Sequence, residues 1–287
     1  MAGSHVPVGT EIVMATSDPE GWSRELHDPC VLQENDRFQG AVWDVNHPAC
    51  RPDGVVLFHN SPFSNWYECS PIRLWHGGRD FSFPTSEHII MAFKEHLLAG
   101  TALEVALETH MGYQSARESK EAAARATKGK AYTWWSHHGM HVLVGTVSCW
   151  LKFSQDAGLG RFLLSTRQAL LVETAPEDGS WGVAMNSSQF LQRAAPQDFA
   201  LSSTASKILH FDVGAITIRR PYCEANALGK SLMITRALLE AGFEQAVPDA
   251  APDLGNAIAL VAGQMKLMQV PFDYDAAVER LYLCHID

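Results

Sequence analysis

Hydrophobic and polar positions follow two different periods along this chain, and the change between them falls near Pro84. Before it, short β-prone runs occur at residues 55–58, 72–75 and 81–83, and turn residues fill 76–80. Apolar runs of this length, bounded by turn formers, are typical of strands. We therefore expect a small sheet whose last strand leads into a helix.

After this point the apolar residues recur mostly at the spacing of a helix. The helices predicted in this way cover residues 85–98, 101–109, 115–127, 135–153, 159–165, 226–241, 256–268 and 274–283. Two further β-prone runs lie at 169–173 and 215–218, and the charged run at 116–121 is typical of a solvated helix face. Turn formers break up residues 1–54, which we expect to be irregular. The whole pattern predicts a small sheet followed by a mostly helical stretch.

Composition and charge limit the class of protein. With 287 residues, 46% of them hydrophobic, the chain is long enough to bury a large core. Its net charge of −10 disfavours general attraction to nucleic-acid backbones and anionic membranes, although it leaves room for a small basic pocket. No apolar run is long enough to span a bilayer, and residues 1–5 lack the pattern of a secretory signal. The six cysteines form no C-x-x-C pair, which is typical of free thiols in a cytoplasmic protein.

Several common kinds of site lack their motif. The glycine pairs form neither a dinucleotide-binding nor a phosphate-binding loop, and no serine lies in a G-x-S-x-G elbow. His137 and His141 are four residues apart, but no further ligands have a matching spacing. We therefore expect neither a metal nor a cofactor.

The sequence Pro84-Thr85-Ser86-Glu87-His88, followed by an apolar run, predicts a helix start. Proline favours the first helical position, and Thr or Ser favours the cap beside it. Glu87 should then lie in the first turn, where the helix dipole keeps a carboxylate ionised. A carboxylate held there suits acid–base chemistry on a small polar substrate. The alternative is that Glu87 only stabilises the helix.

Two other places carry candidate chemistry. Asp178 and Trp181 are three residues apart in a predicted loop, where an indole can stack on a nucleobase and a carboxylate can bind ribose hydroxyls. The alternative is a turn aspartate beside a core tryptophan. Lys152 lies in an apolar stretch, so it either extends to the surface or is buried with a lowered pKa, which would make it a potential nucleophile.

Over roughly residues 55–240, these pieces resemble the YbiA-like, or NADAR, family of N-glycosidases associated with NAD and ADP-ribose metabolism. Each motif is weak alone, but their order is fairly specific. The residues that carry the resemblance are Phe63-Ser64-Asn65-Trp66, Pro84-Thr85-Ser86-Glu87-His88, Trp135, Leu151-Lys152-Phe153-Ser154-Gln155, Leu163-Leu164-Ser165-Thr166, Leu171-Val172-Glu173, Asp178-x-x-Trp181-Gly182, Asn226-Ala227-Leu228-Gly229 and Leu232-Met233.

The resemblance implies a compact, mostly helical α+β fold with a small β-sheet around a pocket for a ribosyl ligand. It also implies hydrolysis of an N-glycosidic bond. Some family members act on phosphoribosylamino-pyrimidine intermediates of riboflavin synthesis, and others remove ADP-ribose from guanine bases. For the residues of this chain, the resemblance implies that Glu87 stabilises the charge at the anomeric carbon and that Asp178 binds ribose hydroxyls or assists proton transfer. Lys152 would contact phosphate or capture the opened ribose as a Schiff base. The implied substrate contacts are Phe63, Asn65, Trp66, Ser86, His88, Trp181, Gly182 and Asn226.

The resemblance also divides the chain. It implies an N-terminal extension at 1–54, a catalytic domain at 55–241 with an insertion at about 187–221, and a C-terminal helical extension at 242–287. The family's glycines and lysines before Asn226 are replaced here, which leaves the substrate open. The expected partner is a small phosphorylated ribosyl molecule. Removal of ADP-ribose from nucleic acid and a non-catalytic nucleotide sensor are the alternatives, and the oligomeric state is open.

Overall fold

The computed structural model describes residues 12–14, 55–130, 135, 140–166, 169–193, 226–243 and 250–268. The strands are β1 (Ile12–Met14), β2 (Val55–Phe58), β3 (Ile72–His76), β4 (Arg79–Phe83) and β5 (Leu170–Glu173). The helices are α1 (Ser86–Ala99), α2 (Leu103–Met111), α3 (Ala116–Ala126), α4 (Met140–Gln155), α5 (Ala157–Ser165), α6 (Ser187–Arg193), α7 (Ala227–Glu240) and α8 (Leu254–Leu267). This mostly helical α+β arrangement confirms the predicted fold class.

The chain forms two compact units. The first unit contains Met1–Ser64 and Ala157–Arg236, and the second contains Asn65–Asp156 and Ala237–Asp287. Each unit is therefore assembled from two separate stretches of sequence. No helix in the described part of the chain is both long and apolar enough to cross a bilayer.

In the first unit, β2 lies between β1 and β5, and both pairings are parallel. Val56, Leu57 and Phe58 of β2 and Leu171 and Val172 of β5 are buried in unbroken apolar runs, as in strands covered on both faces. Phe63 extends this core, because its ring lies 5.3 Å from that of Phe58 and 4.6 Å from that of Phe162 in α5.

Strand β1 corrects one expectation, since residues 1–54 were predicted to be irregular. Ile12, Val13 and Met14 pair with Val55, Val56 and Leu57 of β2. A run of three apolar residues is too short to give a periodic signal. Its pairing with a distant strand, and not its local pattern, makes it a strand.

A buried arginine also holds the first unit together. Arg236 of α7 is 1% exposed, and its Nη1 donates to Thr166 Oγ1 at 2.6 Å and to the Ala169 carbonyl at 3.0 Å. It thereby connects α7 to the segment that leads into β5. Charged groups are rarely buried without such partners.

In the second unit, β3 and β4 form an antiparallel hairpin, which confirms the strands predicted at 72–75 and 81–83. The run at 55–58 was expected in the same small sheet, but as β2 it pairs with β1 and β5 instead. Gly77 and Gly78 form the turn of the hairpin with φ of 57° and 80°. A type I′ hairpin turn requires a positive φ at both central positions, which glycine adopts at little cost.

The predicted helices are largely confirmed. α1, α2, α3, α5, α7 and α8 lie within three residues of their predicted bounds. The helix predicted at 135–153 is described from Met140 as α4, and the mixed stretch after residue 187 begins with α6. The predictions at 215–218 and 274–283 lie outside the described residues.

Candidate active site

Glu87 is the second residue of α1 and is only 4% exposed. Its backbone N–H donates to the carbonyl oxygen of Asn65 at 3.0 Å. The first N–H groups of a helix have no partner within the helix, so Asn65 satisfies one of them from outside. The predicted position of Glu87 in the first turn is confirmed, and the residue is buried there.

The details of the helix start differ from the prediction. Pro84 is not the first helical residue, because Thr85 is the N-cap and α1 begins at Ser86. The Thr85 side chain makes no capping hydrogen bond; its hydroxyl lies 2.8 Å from Nδ1 of His88. The helix therefore relies on the Asn65 carbonyl instead of the expected side-chain cap.

The contact that His88 makes with Thr85 is structural, since it lies within the start of α1. His88 is fully buried, and burial lowers its pKa, so its neutral form is favoured. Its bond to Thr85 links the N-cap to the first turn of α1. The contact with substrate implied for His88 stays a prediction.

The segment 65–69 connects the start of α1 to the end of α4. Asn65 accepts from Glu87, and the Cys69 N–H donates to the Pro84 carbonyl at 3.3 Å. Between them, the ring of Tyr67 lies 5.2 Å from Nζ of Lys152. Because an extended chain spans at most ~3.6 Å per residue, the Cα atoms of Asn65 and Tyr67 are at most ~7 Å apart. One short segment thus contacts both Glu87 and Lys152.

Lys152 is in the last turn of α4 and is 1% exposed. Burial lowers its pKa from 10.5 to about 8, although Cys69, Cys149 and Asp156 act in the opposite direction. Its Nζ also lies 5.2 Å from the ring of Phe153. Of the two readings of the sequence, the side chain that extends to the surface is wrong, and the buried lysine with a lowered pKa is confirmed.

Two polar groups beside Glu87 are buried without a partner. Asn65 is 5% exposed and Ser86 is 0% exposed. Among the described residues, neither Oδ1 of Asn65 nor Oγ of Ser86 has a hydrogen-bond partner. Buried polar atoms are nearly always paired, so such atoms suggest the place of a ligand or a water molecule.

Trp66 follows Asn65 directly and is 40% exposed. Nζ of Lys120 lies 5.4 Å from the centre of its ring. Lys120 belongs to the run that was predicted to be a solvated face, so this interpretation is incomplete. The residue that follows Asn65 therefore carries an exposed aromatic ring with a cation beside it.

The other candidate residues lie in the first unit. Oδ1 of Asp178 accepts the N–H groups of Ser180 and Trp181, both at 2.9 Å. Gly182 follows them, and a Cβ there would lie 2.7 Å from the Glu173 carbonyl oxygen. The observed role of Asp178 is to shape this loop, and the ligand contacts implied for Asp178, Trp181 and Gly182 stay predictions.

Asn226 connects this loop to α7. The carbonyls of the loop accept its own N–H group and those of the next two residues, at 3.0 to 3.1 Å. Its side chain is fully buried, with Oδ1 accepting from the Glu173 N–H and Nδ2 donating to the Leu171 carbonyl. Asn226 therefore joins the loop, β5 and α7, and its contact with a ligand stays a prediction. Phe63 likewise contacts the core of the same unit.

The structure thus brings together Asn65, Trp66, Ser86, Glu87, His88 and Lys152 within the second unit. Sequence reasoning missed Tyr67, Cys69 and Lys120 there. Tyr67 and Cys69 are close in sequence to the Ser-Asn-Trp motif, and that proximity was the available signal. Nothing local pairs Lys120 with Trp66.

Comparison with known proteins agrees with the fold and with these motifs. The NADAR domain matches residues 57–240, more than half of the chain. The chain therefore belongs to the NADAR family, which is associated with N-glycosidase activity. The comparison with curated proteins finds no match.

Proposed function

We propose that this protein hydrolyses the ribosyl C1–N bond of a small phosphorylated ribosylamine, of the type found among riboflavin-pathway intermediates. The observation that carries the proposal is the burial of Glu87 in the first turn of α1, with its backbone held by Asn65. The family's association with N-glycosidase activity supports it.

The chemistry follows from the bond that breaks. Cleavage of C1–N builds positive charge on the ribose ring, and a carboxylate near C1 stabilises that charge. Glu87 takes this role and accepts a proton from the attacking water. The water oxygen bonds to C1 as the C1–N bond breaks, and the leaving nitrogen departs with the electron pair. The proton that Glu87 took from the water is passed on to this nitrogen, which restores the Glu87 carboxylate. The products are the free ribose phosphate and the amine.

Lys152 supplies positive charge beside the segment 65–69, which also contacts Glu87. With a pKa of about 8 it is mostly protonated at neutral pH, and burial strengthens its attraction to an anion. In this proposal the ammonium contacts the substrate phosphate. Its neutral form, which becomes the major one above pH 8, would instead attack an opened ribose aldehyde to give a Schiff base.

A second activity, removal of ADP-ribose from a nucleobase, is favoured by Trp66 and Lys120. An exposed indole with a cation beside it suits a ligand that carries both a base and a diphosphate. A basic channel formed by Arg193, Lys207, Arg219 and Arg220 of the insertion would favour it further. Arg193 ends α6, and the other three lie outside the described residues.

The test is a substrate panel read by mass spectrometry. The purified protein is incubated with a ribosylaminopyrimidine 5′-phosphate, ADP-ribosylated guanosine and NAD. We expect free pyrimidine and ribose 5-phosphate from the first substrate at the highest rate. Fastest cleavage of ADP-ribosylated guanosine would favour the second activity. Binding without product from any of the three would contradict both and indicate a nucleotide sensor.

A further inference from the structure

Asn65 uses its two oxygen atoms differently. The backbone carbonyl accepts the Glu87 N–H at 3.0 Å. The side-chain Oδ1 is buried, and none of the described residues donates to it. Leaving a buried acceptor unpaired costs free energy, so a protein that keeps one gains when a ligand donor fills the position.

The missing partner has to be a donor. An amide oxygen accepts hydrogen bonds and donates none. Phosphate oxygens and an ionised carboxylate are therefore excluded as its partner, whereas a hydroxyl or an N–H group fits. The backbone of the same residue holds Glu87, which is assigned to the anomeric carbon, and two donors lie near that carbon: the 2′-hydroxyl and the glycosidic N–H. The 2′-hydroxyl is the partner that favours the reaction, because positive charge on the ring makes it a stronger donor. The leaving nitrogen instead takes up the electron pair and becomes a weaker donor.

We propose that Oδ1 of Asn65 accepts the 2′-hydroxyl of the substrate, so that Asn65 makes the enzyme specific for ribosyl over 2′-deoxyribosyl substrates. The inference rests on the proposed function, since it uses Glu87 at C1. Hydrogen bonds to this hydroxyl strengthen as charge develops on the ring, so the contact acts mainly on kcat. The unpartnered Oγ of Ser86, the residue beside Glu87, independently indicates a polar ligand at this end of α1.

A double-mutant cycle between protein and substrate tests this proposal. The wild type and Asn65→Leu are each assayed with a ribosylaminopyrimidine 5′-phosphate and its 2′-deoxy counterpart. Leucine has nearly the shape of asparagine but no acceptor, and the backbone carbonyl that holds Glu87 is unchanged. Comparing the two proteins cancels the intrinsic difference in reactivity between the two substrates.

We expect Asn65→Leu to lower kcat on the ribosyl substrate by about 100-fold, with little effect on the 2′-deoxy substrate. Asn65→Asp keeps an acceptor and should retain most of the ribosyl preference. Asn256→Leu, on the exposed surface of α8, is the matched control and should change neither rate. An equal loss on both substrates in Asn65→Leu would overturn the proposal.

A second measurement separates recognition from folding. Because the substitution removes an unpaired acceptor, the ligand-free Asn65→Leu protein should melt at the wild-type temperature or above it. If it does not fold, Asn65→Asp carries the test, and loss of the ribosyl preference there counts against the proposal. Failure of the wild type to cleave any C1–N bond would instead defeat the proposed function, whereas an equal loss on both substrates in Asn65→Leu would defeat only the role of Asn65.

Discussion

Lys152 keeps an ammonium group in surroundings that solvate it poorly. It is 1% exposed and packs against the rings of Tyr67 and Phe153. Burial favours the neutral form, which is why its pKa falls to about 8. A residue that opposes folding in this way is typical of a functional site, where strain is retained for chemistry.

The pKa of Lys152 predicts how its replacement changes stability with pH. The pKa of Lys152 is about 8 in the folded state and 10.5 ordinarily, so the folded state binds fewer protons between these two pH values. Below pH 8 the lysine is charged in both states, and the cost of burying that charge destabilises the fold. Lys152→Met should be more stable than the wild type by about 3 kcal/mol at pH 7. Chemical denaturation from pH 7 to pH 10.5 checks this.

The difference in unfolding free energy between Lys152→Met and the wild type should narrow as pH rises from 8 towards 10.5. At the upper end the lysine is neutral in both the folded and the unfolded wild type, so burying it no longer costs the free energy of a buried charge. Lys266→Met, at an exposed position of α8, is the control and should give a small difference that does not follow this course. A gap for Lys152→Met that is constant over the range would contradict the account.

At the scale of single residues, the sequence predicts the position of a side chain where neighbouring residues in the sequence determine it. The start of a helix follows from Pro84, Thr85 and Ser86, and it placed Glu87 in the first turn. The burial of Lys152 could not be decided, because an apolar stretch around a lysine is compatible with either orientation. The contact between Lys120 and Trp66 depends on how α3 packs, which no local pattern records.

Helices α1, α2 and α3 are joined by a buried polar network. Nδ1 of His110 lies 2.7 Å from Ser119 Oγ, and its Nε2 lies 3.1 Å from Glu95 Oε2. Burial lowers the pKa of His110, although the neighbouring Glu95 acts in the opposite direction. One residue from each helix takes part, so the network fixes the helix that carries Glu87 against its neighbours.

The contact between α7 and β5 depends on Gly229. A Cβ at this position would collide with the Leu171 carbonyl oxygen and with the Asn226 side chain. Gly229→Ala should therefore destabilise the protein by about 3 kcal/mol. Gly263→Ala, inside α8 with open space around it, is the matched control and should stabilise by about 0.5–1 kcal/mol. Thermal melts of the two variants should shift in opposite directions, and equal shifts would contradict this account of the packing.

Secondary structure was predictable wherever an element carries its own pattern. Strands β3 and β4 follow from alternation and β character, the turn between them follows from its turn residues, and the helices follow from their apolar spacing. The separation of β2 from these two strands was not predictable, because pairing between distant strands leaves no local pattern. β1 was missed because its three residues become a strand only through pairing with β2. The bonds of Asn226 to β5 could not be predicted, because they join positions more than fifty residues apart in the sequence.

The whole molecule is acidic, with a net charge of −10, and its match to the NADAR domain covers residues 57–240. A negative chain gains little from general attraction to a nucleic-acid backbone. A small substrate with one phosphate needs only a local positive group, which is the role proposed for Lys152. The overall charge and the buried site therefore favour the same class of substrate.

The central claim is that the Glu87 carboxylate carries the chemistry, and Glu87→Gln tests it most directly. Glutamine keeps the size of the side chain and the backbone bond to Asn65 but removes the negative charge. With a ribosylaminopyrimidine 5′-phosphate as substrate, we expect kcat to fall by at least about 100-fold while the dissociation constant, measured by calorimetry, changes little. Turnover equal to that of the wild type would contradict the account.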